Sequence, residues 1–529
     1  MDDILGGLLL GLQSALQPST LMYCFFGVFL GTLVGVLPGI GALATISLLL
    51  PITYHMQPTD AIVMLAGVYY GSQYGGSTAS ILLNLPGSPS SAVVCLDGYP
   101  MAKKGKAGLA LFLTTIASFI GAMSGLFILV MFAPMITELG FKFGPAEYFS
   151  VMLLGLVAAS TLATGSAVKG LAMVVLGLLL GTVGTDVNSG VARFSFDIPE
   201  LTDSISLVAI AMGIFGVSEV ISSINQVPDA KAKEKISFRS MVPTMKEAGQ
   251  SVMPMVRGSA IGSFFGALPG TGPSIASFMS YAVEKKVAKD PGRFGQGALE
   301  GVCGPEASNN AAAQTSFVPT LSLGIPGDAT MALMLGALII HGIQPGPMLM
   351  TEHSNLFWGL IVSFAVGNIM LMVLNLPLIG VWVAVLRIPY RALYPAILVF
   401  ICLGVYSVNN NPFDVQMVAA IGLMGYVMVV LRFQAAPLLL GFVLGPLVEE
   451  NLRRAMLLSR GDMMTFIERP ISAAFLAVAG MLLLWSIWVT VRDMLRDRAG
   501  LPHPHPLEEL IENVNDPTSP LHHPPQDAR

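Results

Sequence analysis

Apolar residues run through this chain in blocks of about the twenty residues needed to cross a bilayer, from residue 21 to residue 491. The plain blocks fall near 108–133, 147–163, 167–186, 204–224, 356–377, 392–408, 415–431, 434–447 and 471–491, and each predicts a membrane-crossing helix. Residues 4–17 are apolar but shorter, and they follow Asp2 and Asp3 instead of the basic start of a secretory leader; they read as a short N-terminal or interfacial helix. Two blocks differ. Leu21–Pro51 is cut at Leu37-Pro38-Gly39, where proline lacks an N–H and glycine admits positive φ. Each half-helix is too short to span, which predicts a re-entrant hairpin. Thr59–Asn84 turns polar and glycine-rich between Tyr69 and Ser80, and ends at a second break, Asn84-Leu85-Pro86-Gly87-Ser88-Pro89.

Both breaks recur. Gly27–Gly41 reads GVFLGTLVGVLPGIG and Gly258–Gly272 reads GSAIGSFFGALPGTG, with seven identities in fifteen positions at an offset of 231. A second polar stretch, Pro305–Phe317, leads into Gly324-Ile325-Pro326-Gly327-Asp328, at an offset of 240 from Asn84–Ser88. Internal duplication of this kind predicts an all-α polytopic membrane protein of about 11–12 transmembrane segments in two repeats. The expected divisions are a short helix at 1–20, repeat one at 21–225, a basic linker at 226–257 and repeat two at 258–448. A loop with one extra helix follows at 449–491, then a Pro- and His-containing tail at 492–529 expected to be disordered.

Composition agrees: 54% of the 529 residues are hydrophobic and 11% are charged, against roughly 25% charged in soluble proteins. Cys24, Cys95, Cys303 and Cys402 lie in or beside apolar blocks without paired spacing and read as buried small hydrophobes. The net charge of −5 gives no footing for a nucleic-acid partner. Charge placement adds orientation. The first 102 residues carry no Lys or Arg, whereas Lys231–Arg257 and Lys285–Arg293 flank the second hairpin. Lys103, Lys104 and Lys106 follow the second break of repeat one, but no Lys or Arg occurs between Arg293 and Arg387 around its counterpart. Because Lys and Arg prefer cytoplasmic loops, the repeats are expected to be related by inverted topology. The four arginines of 449–469 run against this count, which places that loop outside.

Inverted repeats with broken helices point to a secondary transporter whose substrate sits at the repeat interface. The half-helix after each break presents free N–H groups suited to an anion. The breaks are expected to converge in pairs, Pro38–Gly41 with Pro269–Gly272 and Pro86–Ser88 with Pro326–Asp328. Candidate substrate contacts are Pro38, Gly39, Gly41, Ser72, Asn84, Gly87, Ser88, Gly270, Thr271, Gly272, Asn309, Asn310 and Gly327; Gln73, Ser77, Thr78, Ser274, Gln314 and Thr315 lie nearby. Each hydroxyl or amide would serve equally well in joining one helix to the next, and the GxxxG spacing of Gly27, Gly31 and Gly35 fits close helix packing. Glu306 and Asp328 are the candidate ligands of a coupling ion, with Asp328 equally suited to cap the half-helix that it precedes. Asp97 and Lys169 are expected at membrane edges, and His341 and His353 lack metal-ligand spacing. The chain has no P-loop, HExxH or GxSxG, so no enzyme and no cofactor is expected beyond Na⁺ or H⁺ as coupling ion.

Four stretches carry a family resemblance. GVLPGIG at 35–41, YGSQYGGSTASILLNLPGSPSSAVVCLDGYPMAKKGKAGLAL at 70–111, ALPGTGPSIASFMSYAVEKK at 267–286 and GPEASNNAAAQTSFVPTLSLGIPGDATMALMLGAL at 304–338 resemble the TctA family, the large membrane subunit of tripartite tricarboxylate transporters. The likeness covers about residues 20–445 and implies a permease subunit in a bacterial inner membrane. It also implies a small four-helix membrane subunit (TctB-like), a periplasmic solute-binding protein (TctC-like), and import of citrate-like carboxylates down an ion gradient, generally Na⁺. A passive organic-anion channel and a stand-alone antiporter are the alternatives. The final helix and tail lie outside the resemblance.

Overall fold

The computed structural model describes residues 2–37, 41–161, 167–186, 189–223, 241–268, 270–386 and 390–498. The first half runs α1 (Asp2–Ala15), α2 (Pro18–Val36), α3 (Gly41–Thr53), α4 (Pro58–Leu83), a 3-10 turn at Pro89–Val94, α5 (Cys95–Lys103), α6 (Ala107–Gly140), α7 (Pro145–Thr161) and α8 (Ala167–Gly181). A short ladder pairs Gly184–Thr185 with Ala192–Arg193, and α9 (Leu207–Ala211) continues through a π turn into α10 (Ser218–Ser223). The second half runs α11 (Met245–Gly266), α12 (Gly272–Val287), α13 (Glu300–Thr315), α14 (Phe317–Leu323), α15 (Ala329–Ile340), α16 (Met348–Glu352), α17 (Ser354–Asn375), α18 (Ile379–Val385), α19 (Tyr390–Asn409), α20 (Pro412–Val430) and α21 (Ala435–Leu458). The short α22 (Thr465–Glu468) and the long α23 (Pro470–Arg498) end the described chain, and the tail from 499 lies outside it.

Among the described residues six helices, α2, α6, α17, α20, α21 and α23, are long and apolar enough to cross a membrane. The protein is a multi-pass helical membrane protein. Its outer surface is apolar, as lipid requires: Phe127, Met131 and Met135 on α6 and Leu484, Trp485 and Trp488 on α23 point outward. The centre is the reverse. Every residue from Asp60 to Ile81 on α4, and from Gly301 to Ser322 on α13 and α14, is buried. These helices tolerate serines, amides and carboxyls because their neighbours are protein and not lipid.

Glycine sets how closely the centre packs. A Cβ at Gly27 or Gly35 on α2 would overlap the carbonyl oxygens of Met64 or Ser72 on α4. A Cβ at Gly258, Gly262 or Gly266 on α11 would overlap those of Gly304, Ser308 or Ala312. Both glycine rows therefore do the packing work that their spacing suggested. Contacts also exchange between halves: α3 packs on α15 and α12 on the 3-10 turn of the first half, while α6 lies along α13 and α17 along α4.

The helix boundaries follow the apolar blocks closely, with two corrections. α11 begins at Met245, inside the stretch expected as linker, because Thr244 and Glu247 form a capping box: Glu247 N–H donates to Thr244 Oγ1 (3.3 Å) and Thr244 N–H to Glu247 Oε2 (3.0 Å). Residues 226–240 of that linker lie outside the described residues. α21 runs on to Leu458, so the first part of the expected loop after 449 is helix. Asp97, expected at a membrane edge, is fully buried: it accepts from Gly297 N–H (2.7 Å), Ala298 N–H (2.8 Å) and Tyr281 Oη (3.0 Å). It ties α5 of the first half to α12 and the lead into α13. Lys169 reaches the Leu431 carbonyl at 2.8 Å.

Ion pairs organise the two ends. Lys106 Nζ pairs with Glu247 Oε1 (3.0 Å) in the first turn of α11, and Lys104 Nζ donates to the Gln296 carbonyl (2.6 Å) after α12. At the other end Arg453 bonds Asp186 (3.0 Å) and Glu449 (2.6 Å), Arg193 bonds Glu449 (2.7 Å), and Arg469 bonds Glu147 (2.5 Å). The Thr244 and Lys106 bonds hold the Glu247 carboxyl down at about 2. A depressed carboxyl contributes stability above its unfolded value near 4.3 and loses it as the pH falls toward the folded value. The melting temperature of the wild type should therefore exceed that of Glu247→Gln at pH 6, with the gap closing between about pH 4 and pH 2. A gap independent of pH would refute this assignment.

Arg257 grips Glu284 through two bonds, Nε to Oε1 (2.8 Å) and Nη2 to Oε2 (2.6 Å), and the Glu284 side chain is 1% exposed. Arg257→Ala leaves a buried carboxylate unpaired, an expected loss of about 3–5 kcal/mol. The double variant with Glu284→Gln should recover most of it, as read by thermal unfolding in detergent.

Candidate functional site

Each half contains two breaks built alike. Gly41 and Gly272 open α3 and α12 at φ +63° and +60°, and Gly270 sits at φ +82°. All three need the left-handed region that glycine enters freely. Pro38, Gly39 and Pro269 lie outside the described residues. The second breaks start with left-handed caps, Asn84 (φ 57°) on α4 and Gly324 (φ 70°) on α14. Both then reach extended N-caps, Ser88 and Asp328. Asn84 thus acts as a helix C-cap. Asp328 caps α15, its Oδ1 accepting from Met331 N–H at 2.8 Å.

Among the described residues, direct contacts join the two breaks of one half; the expected pairing of Pro38–Gly41 with Pro269–Gly272 falls partly on residues outside the described ones. Gly270 N–H donates to the Gly327 carbonyl at 2.9 Å, and a Cβ on Gly272 would stand 3.0 Å from Asp328 Cβ. In the first half, a Cβ on Gly87 would overlap the Gly35 carbonyl oxygen. Thr271 Oγ1 folds back onto the Leu268 carbonyl (2.9 Å), so its hydroxyl serves the turn itself. Gly270, Thr271, Gly272, Gly327 and Asp328 form one cluster; Gly41 stands at the matching turn of the first half.

Polar side chains gather at three places along α4. Tyr69 Oη donates to Asp328 Oδ2 at 2.6 Å. Ser90 Oγ donates to Gln73 Oε1 (2.5 Å) and contacts Ser88 Oγ (2.9 Å). Ser77 Oγ donates to Glu306 Oε2 at 2.5 Å. Tyr69 and Ser77 are eight residues apart, about 12 Å along the helix, so the two candidate carboxylates occupy separate positions. Ser72 donates to the Tyr69 carbonyl (2.7 Å) and stays within α4.

Glu306 is fully buried and held by neutral donors alone: Ser77, Ser118 Oγ to Oε1 (2.7 Å), Asn309 Nδ2 to Oε2 (3.4 Å) and Asn310 Nδ2 to Oε1 (3.3 Å). Asn309 and Asn310 therefore belong to the Glu306 cluster. Among the described residues, Asn310 Oδ1 and both amide atoms of Gln314 are buried without a partner. Ser118 and Tyr69 escaped the sequence reading. Ser118 lies in an apolar block, and the available signal was the Gly121–Gly125 spacing, whose glycines press α6 against the Ala307 and Ala311 carbonyls. A cleft of about 740 Å³ opens elsewhere, between Leu50, Tyr54, Glu200, Asp203 and Asp414. It touches none of the break residues, and its acidic wall is unsuited to an anion.

These elements define a polytopic membrane protein with a polar, broken-helix interior enclosed by apolar helices. The chain belongs to the tripartite tricarboxylate transporter TctA family, whose model matches residues 21–440. It is thus a component of a tripartite tricarboxylate transporter; α1 and α23 fall outside the matched region. It is 50% identical over 478 residues to an uncharacterized 52.8 kDa protein in the TAR-I ttuC' 3' region of Agrobacterium vitis, covering 90% of this chain and 95% of the relative. It is 54% identical over 232 residues to an uncharacterized protein in the TAR-II ttuC' 3' region of the same organism, covering 44% of this chain and 96% of that one. No solved structure matches.

Proposed function

We propose that this chain is the permease subunit of a binding-protein-dependent secondary transporter that imports di- or tricarboxylates across a bacterial inner membrane. A Na⁺ or H⁺ gradient drives it by alternating access. A periplasmic solute-binding protein delivers the substrate, and a small four-helix membrane subunit completes the complex. The observation that carries the reading is the pair of buried polar helices, α4 and α13–α14, each ending in a break beside a second glycine turn. Helix N-termini at such breaks attract carboxylate groups without a buried Lys or Arg. Gly41, Ser72, Asn84, Gly87 and Ser88 line the substrate path from the first half, and Gly270, Thr271, Gly272 and Gly327 from the second. Glu306 with Asn309 and Asn310 serves the coupling ion, while Asp328 caps the half-helix after the second break.

Inverted repeats and re-entrant hairpins belong to the same proposal. They are supported by the loop at 103–106, which bonds the first turn of α11 and the segment after α12 and so favours a hairpin returning to its starting side. Tyr54, after α3, lines the acidic cleft with Glu200 and Asp414, far along the chain from that basic loop. The arginines at 453, 454 and 469 are ion-paired, which weakens their vote against an external position.

The test is uptake of labelled di- and tricarboxylates into proteoliposomes holding this subunit, its small partner and candidate binding proteins. Accumulation is expected only with a binding protein and an inward cation gradient. Flux that ignores both would replace the reading with a passive channel.

A further inference from the structure

The surroundings of Asn310 carry one further step. Its Nδ2 has four oxygens around it: Asn309 Oδ1 (2.6 Å), Ser118 Oγ (2.9 Å), the Glu306 carbonyl (3.1 Å) and Glu306 Oε1 (3.3 Å). An amide nitrogen has two hydrogens to offer, so two of these oxygens are left facing the others. Oxygens crowded in this way repel unless positive charge lies among them. The amide oxygen of Asn310 meanwhile has no partner, although the residue is fully buried. Turning the amide by half a rotation exchanges the two atoms, an assignment that heavy-atom positions alone do not fix. It places Asn310 Oδ1 on the same point among the other four, five oxygens in all.

We propose that Glu306, Asn309, Asn310 and Ser118 form a site for one alkali cation, Na⁺, between α13 and α6; this rests on the reading of the chain as a cation-coupled transporter. The charge of the set decides the valence. Glu306 supplies one negative charge and every other ligand is neutral, so a monovalent cation balances the site. A divalent cation would leave a net charge buried in a helix interface. Among the described residues no group of three His, Cys, Asp or Glu stands together, as a transition-metal site would require. Asp328 has a different part: Tyr69 and the α15 N-terminus occupy its oxygens, so it holds the second break in place. Gln314, one turn beyond Asn310 with both amide atoms free, continues the polar face toward Thr315 and the Gly266 turn.

The test is equilibrium binding of ²²Na⁺ to the purified full chain in detergent, with melting temperature against Na⁺ at constant ionic strength, choline replacing Na⁺. Wild type should bind ²²Na⁺ and melt higher as Na⁺ rises. Glu306→Gln should abolish both responses. Ser118→Ala, a change small enough to keep the fold, should raise half-saturating Na⁺ about tenfold, the loss of one charge-assisted contact. Asp328→Asn should still bind ²²Na⁺. The proposal is overturned if Ser118→Ala and Glu306→Gln bind as wild type does. It is equally overturned if wild type binds no ²²Na⁺ and answers only to pH, which would put a proton on Glu306. Failure of the transporter reading looks different: ²²Na⁺ binding persists while carboxylate uptake ignores every cation gradient.

Discussion

Gly262→Val is expected to abolish the folded protein. The first side-chain carbon at this position falls onto the Ser308 carbonyl oxygen, and both groups sit on helix backbones that cannot rotate aside. Relief requires α11 and α13 to separate, and the neighbours above and below, Gly258 on Gly304 and Gly266 on Ala312, then part as well. A bilayer offers no hydrophobic gain to hold the pair together at a distance; close backbone approach is itself the attraction. The loss is put at more than about 3 kcal/mol, the upper range for overpacking. Size-exclusion profiles of detergent extracts check it: the variant should aggregate or fail to accumulate, while Gly249→Ala, at a site with open space, should behave as wild type. A monodisperse Gly262→Val protein would show that this helix pair does not set the core.

Gly270→Leu should abolish carboxylate uptake and yet leave the protein extractable and monodisperse. Gly270 stands at φ +82°, and its Cβ would approach Ala159 N at 2.8 Å, so a side chain must move the turn against α7. Strain of this kind costs about 1–3 kcal/mol, which a large membrane fold absorbs. The turn does not absorb it, because Gly270 N–H is bonded to the Gly327 carbonyl and Gly272 abuts Asp328. One substitution therefore displaces both breaks of the second half. Uptake in proteoliposomes, normalised to folded protein, measures the effect; wild-type uptake would remove these turns from the substrate path.

The sequence by itself determined the helices, the duplication and the family. Helix limits follow from apolar length, which the bilayer dictates, and from proline and glycine at the breaks, which act locally. The glycine rows were legible for the same reason, since a GxxxG spacing allows close backbone approach wherever it meets a partner. The tertiary structure alone decided which groups meet. The breaks join within a half, through Gly270 and Gly327, because the rows of α11 bring α13–α14 back alongside, and no local pattern encodes that return. Asp97 is a buried tie between the halves, its backbone donors two hundred residues away at Gly297 and Ala298, a pairing that no local pattern encodes. Glu306 was visible as a rare acid within an apolar region, but its fourth donor, Ser118 on α6, was hidden in an apolar block. A carboxylate in a helix shows its cost in the sequence; the groups that meet that cost are chosen by packing.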